Sequence, residues 1–318
     1  MTSPAAPHIS VLLDEVLHAL RVAELPGGCF LDGTLGAGGH AAAILAAAPQ
    51  ARLLGLDRDP AALALAADRL APFGERAALR HASYEQIAEI VPSWLGNAPG
   101  LDGMLLDLGL SSMQVDDAER GFAFMREGPL DMRFDSTSSE ITADDIINTW
   151  DAESIADVLF RYGEERHSRR IAQAILKARP IHTTRELAGV IEHAQYGPRE
   201  KIHPATRTFQ ALRIAVNDEL GAVERVLPLA LNLLRPGGRL AVISFHSLED
   251  RIVKHTFKAE ATDCICPPRQ PICTCGHRAR VRIITPKPIQ PTDAEIAVNT
   301  RSRSARLRVA ERLESKKL

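Results

Sequence analysis

The sequence predicts a doubly wound α/β fold, a mostly parallel sheet with an all-helical insertion after its fourth strand. Three observations predict it. From Cys29 to Asp107, short apolar runs alternate with helical segments. A glycine-rich turn directly follows the first of these runs. Between Ser112 and Arg213 the strand signal is lost, and it returns at Arg239. Short apolar strands separated by helices indicate a parallel sheet covered on both faces.

The elements follow in order. Residues 9–22 carry apolar positions at helical spacing. Cys29–Asp32 is the first strand, and His40–Ala48 an Ala-rich helix. Arg52–Asp57 is the second strand; Asp59-Pro60 then opens a helix over Ala61–Leu70. Ala77–His81 and Leu101–Asp107 are the third and fourth strands. The next segment is polar and helical in pattern, punctuated by Gly128-Pro129, Arg179-Pro180, Gly197-Pro198 and His203-Pro204. A helix over Ala222–Leu234 leads through Pro236-Gly237-Gly238 into a fifth strand, Arg239–Ser244. Val281–Ile284 and Arg306–Val309 are expected to close the sheet as an antiparallel pair. The expected division is 1–111, an insertion over 112–212, and 213–318 with a Cys/Pro-rich loop and an Arg-rich C-terminus.

Composition narrows the class. The 318 residues are 45% hydrophobic and 25% charged, which suits a packed core and excludes disordered and collagen-like chains. The formal net charge of −2 argues against a nucleic-acid partner only if charge is evenly spread. Arg278–Leu318 holds 11 Lys and Arg against 4 Asp and Glu, so this tail carries +7 and the remainder −9. A second basic stretch, Arg161–Arg185, lies inside the insertion. Arginine dominates the cations and suits phosphate contacts. No apolar run reaches the roughly 18 residues of a membrane span. Asp14 and Glu15 interrupt the N-terminal apolar pattern, and the five cysteines do not resemble a secreted disulfide framework. A cytoplasmic location is expected.

The first strand runs into Asp32-Gly33-Thr34-Leu35-Gly36-Ala37-Gly38-Gly39-His40. Glycines let a backbone turn tightly and approach a ligand. Asp57 ends the second strand 25 residues after Asp32, where an acid accepts from both hydroxyls of a ribose. The pattern is not G-x-G-x-x-G, and Asp32 would repel a pyrophosphate while favouring a cationic amino-acid tail. This points to S-adenosylmethionine rather than NAD. Asp107-Leu108-Gly109-Leu110-Ser111-Ser112 ends the fourth strand on the same edge.

These motifs, with Leu-Asp-Arg-Asp-Pro (56–60), Gly-Phe-Ala-Phe-Met-Arg-Glu-Gly-Pro-Leu-Asp-Met-Arg (121–133), Tyr-Gly-Glu-Glu-Arg (162–166), His-Pro-Ala-Thr-Arg-Thr-Phe-Gln-Ala-Leu-Arg (203–213) and Ile-Ser-Phe-His-Ser-Leu-Glu-Asp-Arg (243–251), resemble the bacterial RsmH family, also called MraW. The resemblance covers nearly the whole chain. It implies a class I methyltransferase fold and an S-adenosylmethionine-dependent enzyme. The implied substrate is the N4 amine of a cytidine in the decoding region of 16S ribosomal RNA, within the small ribosomal subunit. By the same resemblance, Gly38, Gly39 and His40 line the methionine side, Asp57 holds the ribose, and Tyr84 flanks the adenine. Asp107 and Gln114 complete the set. One departure is visible: Asn299-Thr300-Arg301-Ser302-Arg303 stands where many members have Asn-Pro-Arg-Ala-Arg.

A cytosine N4 lone pair is delocalised into the ring, so the amine needs an acceptor for its N–H and an in-line methyl donor. Candidate acceptors are the Asp107 carboxylate, the carbonyls of Leu108–Leu110, and the Ser111 and Ser112 hydroxyls. Attack at carbon 5 would need a cysteine, and none lies near Asp107 in the sequence. His246 opens on the same edge, as a base contact or as a structural histidine. Phe122, Phe124 and Arg133 are RNA-contact candidates or core residues. Cys264, Cys266, Cys273 and Cys275 form two Cys-x-Cys pairs, either a zinc site or reduced thiols; the spacing is tighter than usual for zinc. Two other readings were weighed, an NAD-type oxidoreductase and a non-catalytic RNA-binding assembly factor. The absent G-x-G-x-x-G disfavours the first, and the intact cofactor motifs disfavour the second.

Overall fold

The computed structural model describes residues 10–110, 112–138, 140–195, 202–267, 269–270 and 272–314. It divides into two compact units, Met1–Gly109 with Ala222–Leu318, and Leu110–Gly221. The first unit holds a seven-stranded sheet of β1 (Cys29–Asp32), β2 (Arg52–Asp57), β3 (Ala77–His81), β4 (Leu101–Asp107), β5 (Leu234–Ser244), β6 (Val281–Ile283) and β7 (Arg306–Arg312). Their order is β3-β2-β1-β4-β5-β7-β6. The first five run parallel, and β7 pairs antiparallel with both β5 and β6. This is the expected mostly parallel sheet with an antiparallel closing pair.

The central strands β1, β2, β4 and the end of β5 read as mostly apolar runs because each feeds two cores. Phe30, Leu53, Leu105, Ala241, Ile243, Leu307 and Val309 face one cluster. Leu31, Leu54, Leu56, Met104, Leu106, Leu240 and Val242 face the other. Alternate side chains of a strand point to opposite faces, so both sets must be apolar when both faces are covered. β5 starts earlier than the sequence predicts. Leu234 already pairs with Leu101, and the register shifts before Gly103 meets Arg239. Gly237, at φ +78°, supplies the left-handed turn inside that irregular stretch.

Helices α1 (Leu13–Ala19), α2 (Gly39–Ala47) and α3 (Pro60–Leu70) cover the first face, and α4 (Ile87–Leu95) the second. Asp59 caps α3 by accepting from the Ala61 amide at 3.0 Å, with Pro60 at the first helical position. α1 is shorter than the predicted 9–22 because Leu12 and Arg21 sit at positive φ; Ile9 lies outside the described residues. α4 was not anticipated. Its apolar face is short, and the capping box Ser83–Gln86 precedes an extra single turn before it.

The second unit contains α5 (Ser112–Asp116), α6 (Ala143–Thr149), α7 (Ala152–Gly163), α8 (Ser168–Ala178), α9 (Thr184–Ala194) and α10 (Ala205–Asn217). Among its described residues there is no strand beyond one isolated bridge, Pro129 with Thr183. Thr142, Asp151 and Thr183 cap α6, α7 and α9 through side-chain oxygens. A core including Ile146, Leu159, Ile171, Ile191 and Leu212 is this unit's own. Phe122 is buried in that core, and Phe124 packs between His203 and Phe209 at ring separations of 4.5 and 5.3 Å. Arg133 binds Asp131 at 2.6 and 3.0 Å. All three therefore serve packing and internal pairing. The Gly197-Pro198 turn lies outside the described residues.

Chain order then returns to the first unit. α11 (Glu219–Leu233) crosses into it, and α12 (Ser247–Glu260) packs Val253 and Phe257 on the second face. A short α13 (Asp293–Val298) precedes β7. Part of the basic tail is engaged in ion pairs. Arg308 and Arg306 bind Asp250 at 2.6 and 3.2 Å. Arg282 binds Glu311 at 2.6 Å and Arg280 binds Glu260 at 2.6 Å. Burial alone would raise the Asp250 carboxyl, but the hydrogen bonds and charges of Arg308 and Arg306 outweigh it and hold it below the ordinary carboxylate range.

A depressed carboxyl contributes stability that is complete above its ordinary pKa and is lost as pH falls through its lowered value. Asp250→Asn is expected to cost about 3 kcal/mol in urea unfolding at pH 7, since it strands the buried Arg308. The cost is expected to shrink on acidification below about pH 4.

Candidate active site

Three acids converge at the carboxyl ends of adjacent parallel strands. Asp32 ends β1, Asp57 ends β2 and Asp107 ends β4. With β2-β1-β4 side by side, the chain leaves β1 toward β2 on one flank and reaches β4 on the other. Such a switch point opens a crevice, and open α/β sheets bind ligands there.

The turn after β1 shapes this crevice. Gly38 stands at φ +74° immediately before α2, a left-handed position that favours glycine. A side chain at Gly39 would place its Cβ 2.1 Å from the Ser10 hydroxyl oxygen. The turn is fixed from both sides. Asp57 accepts from the Gly36 amide at 2.7 Å and from the Asp59 amide at 2.8 Å. Thr34 Oγ1 accepts from the Asp107 amide at 2.6 Å, which ties the turn to the end of β4.

His40 is buried on α2. Its Nε2 lies 2.9 Å from the Val11 carbonyl, and its Nδ1 lies 4.0 Å from Asp107 Oδ2. Tyr84 is half-buried after β3, its Cβ near Gly33. The first unit thus brings together Gly38, Gly39, His40, Asp57 and Asp107 around one turn, with Tyr84 beside it. Gln114 is buried on α5 of the second unit. Ser111 lies outside the described residues.

Electrostatics set the character of the crevice. Burial pushes the Asp32 carboxyl up to about 6; His40 and the Thr34 amide oppose this, and Asp107 and Asp57 add to it. Burial also raises Asp57 against the amides that bind it. Burial raises Asp107 as well, opposed by His40 and the Gly109 amide and reinforced by Glu249. Clustered buried carboxyls with raised pKa values are a setting that favours a cationic ligand. S-adenosylmethionine carries a sulfonium and an ammonium group beside a ribose diol. The acids fit the two cations, and the Asp57 carboxylate retains lone pairs for the diol. A pyrophosphate would meet repulsion here.

One residue near the crevice is not singled out by the sequence. Glu249 is buried on α12 and accepts from the Phe245 amide at 2.8 Å. His246 begins the same helix as its cap, with Nε2 3.0 Å from Glu249 Oε1. His246 therefore caps this helix, and the His-x-x-Glu spacing was the available signal. Beyond β5, a cavity of about 260 Å³ is lined by Phe245, His246, Gln290, Arg303 and Arg306, among others.

The model of the MraW methylase family matches residues 5–313. The chain belongs to the MraW methylase family. It is 53% identical over 308 residues to the ribosomal RNA small subunit methyltransferase H of Dehalococcoides mccartyi, covering 96% of this chain and 87% of that one. The enzyme of the same name from Symbiobacterium thermophilum is 52% identical, covering 97% of both chains. That of Heliobacterium mobile is 51% identical, covering 96% of this chain and 99% of its own. As a methylase of this family, the protein is an S-adenosylmethionine-dependent methyltransferase. Among the described residues no helix is long and apolar enough to cross a membrane.

A raised carboxyl is protonated below its folded pKa, so Asp32 meets a cation poorly at low pH. Calorimetric titration with S-adenosylmethionine is expected to show binding weakening about tenfold per pH unit below 6. Asp32→Asn is expected to flatten that acid limb, which separates Asp32 from His40, Asp57 and Asp107 around it. Asp57→Ala is expected to raise the cofactor dissociation constant by about 100-fold, for the loss of charge-assisted hydrogen bonds to the ribose.

Proposed function

We propose that the MraW-family methylase described here methylates small-subunit ribosomal RNA, and that its target is the N4 amine of a cytidine in the decoding region of 16S RNA. The relatives' shared name supports the RNA substrate. The observation that carries the amine reading is chemical. The strand end beside the crevice offers a carboxylate, Asp107, and not a thiol. Cys29 begins β1 and so lies at the opposite edge of the sheet from Asp32. Methylation at carbon 5 of a pyrimidine requires an enzyme cysteine, whereas an amine requires only an acceptor and alignment.

S-adenosylmethionine supplies an electrophilic methyl group. Asp32 and Asp57 hold its cationic and ribose ends, and His40 stands next to Asp107. The Asp107 carboxylate accepts an N–H of the target amine, which shifts the nitrogen lone pair out of conjugation. The carbonyls of Leu108 to Leu110 and the Ser111 and Ser112 hydroxyls share this candidacy. The base enters unpaired, since its amine is otherwise in a base pair. Exposed cations on the second unit, including Arg166, Arg169 and Lys177, and Arg303 at the cavity beyond β5 suit RNA phosphates.

Tritiated S-adenosylmethionine with small subunits from cells lacking the modification tests the reading. The labelled nucleoside is expected to be N4-methylcytidine, and fragment mass mapping is expected to place it in the decoding region. Label in 5-methylcytidine, or no label in subunits, would refute it. Asp107→Ala is expected to lower the single-turnover rate by about 100-fold or more, with a smaller change in cofactor affinity. Assembled subunits are expected to outperform naked 16S RNA, because the second unit is large enough to read shape.

A further inference from the structure

The segment joining α12 to β6 has no role in the crevice chemistry and no core of its own. Among its described residues, 261–280, not one is buried. Its apolar side chains Ile265 and Ile272 are 55% and 74% exposed. A segment that buries so little needs a cross-link or a metal to hold one shape. Its base is fastened: the Arg280 amide donates to the Glu260 carbonyl at 2.8 Å, and the Ala279 amide to Asp263 at 3.1 Å.

Its tip gathers four thiols. The sulfurs of Cys264, Cys266, Cys273 and Cys275 all lie within 4.8 Å of one another. Cys264 to Cys273 is 3.5 Å, Cys273 to Cys275 is 3.6 Å, and Cys275 to Cys264 is 3.8 Å. Four sulfurs bound tetrahedrally at about 2.3 Å from one ion stand about 3.8 Å apart. A disulfide would bring a pair to about 2.05 Å. The separations therefore match a tetrathiolate and no disulfide. The His277 amide also points at Cys275 Sγ, at 3.4 Å. Such amide donors stabilise thiolate charge.

We propose that Cys264, Cys266, Cys273 and Cys275 bind one zinc ion that folds this segment. Four protein ligands leave no open position, so the ion is structural and takes no part in methyl transfer. The tight Cys-x-Cys spacing is accommodated because the two pairs approach from opposite arms of the segment. Sulfur-only tetrahedral sites suit zinc or iron, and the exposed position and lack of a covering apolar shell favour the redox-inert ion.

The full chain, purified with a reductant and without chelator, tests this. Elemental analysis is expected to find about one zinc per chain, released when a mercurial reagent titrates four thiols. Cobalt substitution is expected to give the intense visible bands of a tetrahedral thiolate site. Cys264→Ser and Cys273→Ser are each expected to lose the zinc and to expose the 261–280 segment to protease. Both should retain S-adenosylmethionine affinity within about twofold, since the crevice is a separate site. Zinc below half an equivalent after incubation with zinc sulfate would overturn the proposal. So would stoichiometric iron, or disulfides among these cysteines in peptide mass spectra of freshly prepared protein.

Discussion

The burial of three carboxyls, Asp32, Asp57 and Asp107, at neighbouring strand ends is the constraint on which the first unit depends. Placing three carboxyls at neighbouring strand ends costs free energy, because burial disfavours each charge and the neighbours disfavour it further. The sheet withstands this through apolar layers on both faces. Backbone amides from the glycine turn and the Thr34 link to Asp107 hold the acids in place. The outcome is a cleft whose electrostatics are completed by a cationic ligand. A site strained in this way gains more from a sulfonium cofactor than a neutral cleft would, which is how a fold shared with dinucleotide enzymes is redirected.

Positive charge is used differently at different places. The C-terminal arginines are mostly engaged in the sheet itself. Arg306 and Arg308 bind Asp250, and Arg282 shares Glu311 with Arg239. These pairs attach β7 and β6 to α12 and β5. Of the +7 along this stretch of sequence, Asp250 and Glu260 from elsewhere in the chain offset two charges, while Glu311 belongs to the stretch itself. Exposed cations remain on the second unit and, in the tail, at Arg278, Lys287, Arg301 and Arg303. Family membership rests on the motifs, and the charge pattern does not identify it.

Much of this was legible beforehand, for physical reasons. Parallel strands buried on both faces leave continuous apolar runs, so β1 to β4 were readable, and Asp59-Pro60 announced α3. The start of β5 was not readable, because Pro236-Gly237-Gly238 signals a turn while the ladder continues through it. α4 was missed because a nine-residue amphipathic segment carries weak periodicity. Phe122, Phe124 and Arg133 were ambiguous until packing was known. A phenylalanine in a helical segment reads alike whether it fills a core or meets a base. The same holds for His246, whose capping of α12 depends on where Glu249 turns.

The sequence by itself determined the strand-end acids, the glycine turn, the cofactor class and the family. Each of these is a local pattern, in which neighbouring residues carry the chemistry. Only the tertiary structure decided which charges remain available and which side chains meet across long sequence separations. Asp107 lies beside His40, and Asp250 neutralises Arg308. Those pairings depend on how elements far apart in sequence pack. Burial and distance, on which their energies rest, are properties of the folded chain.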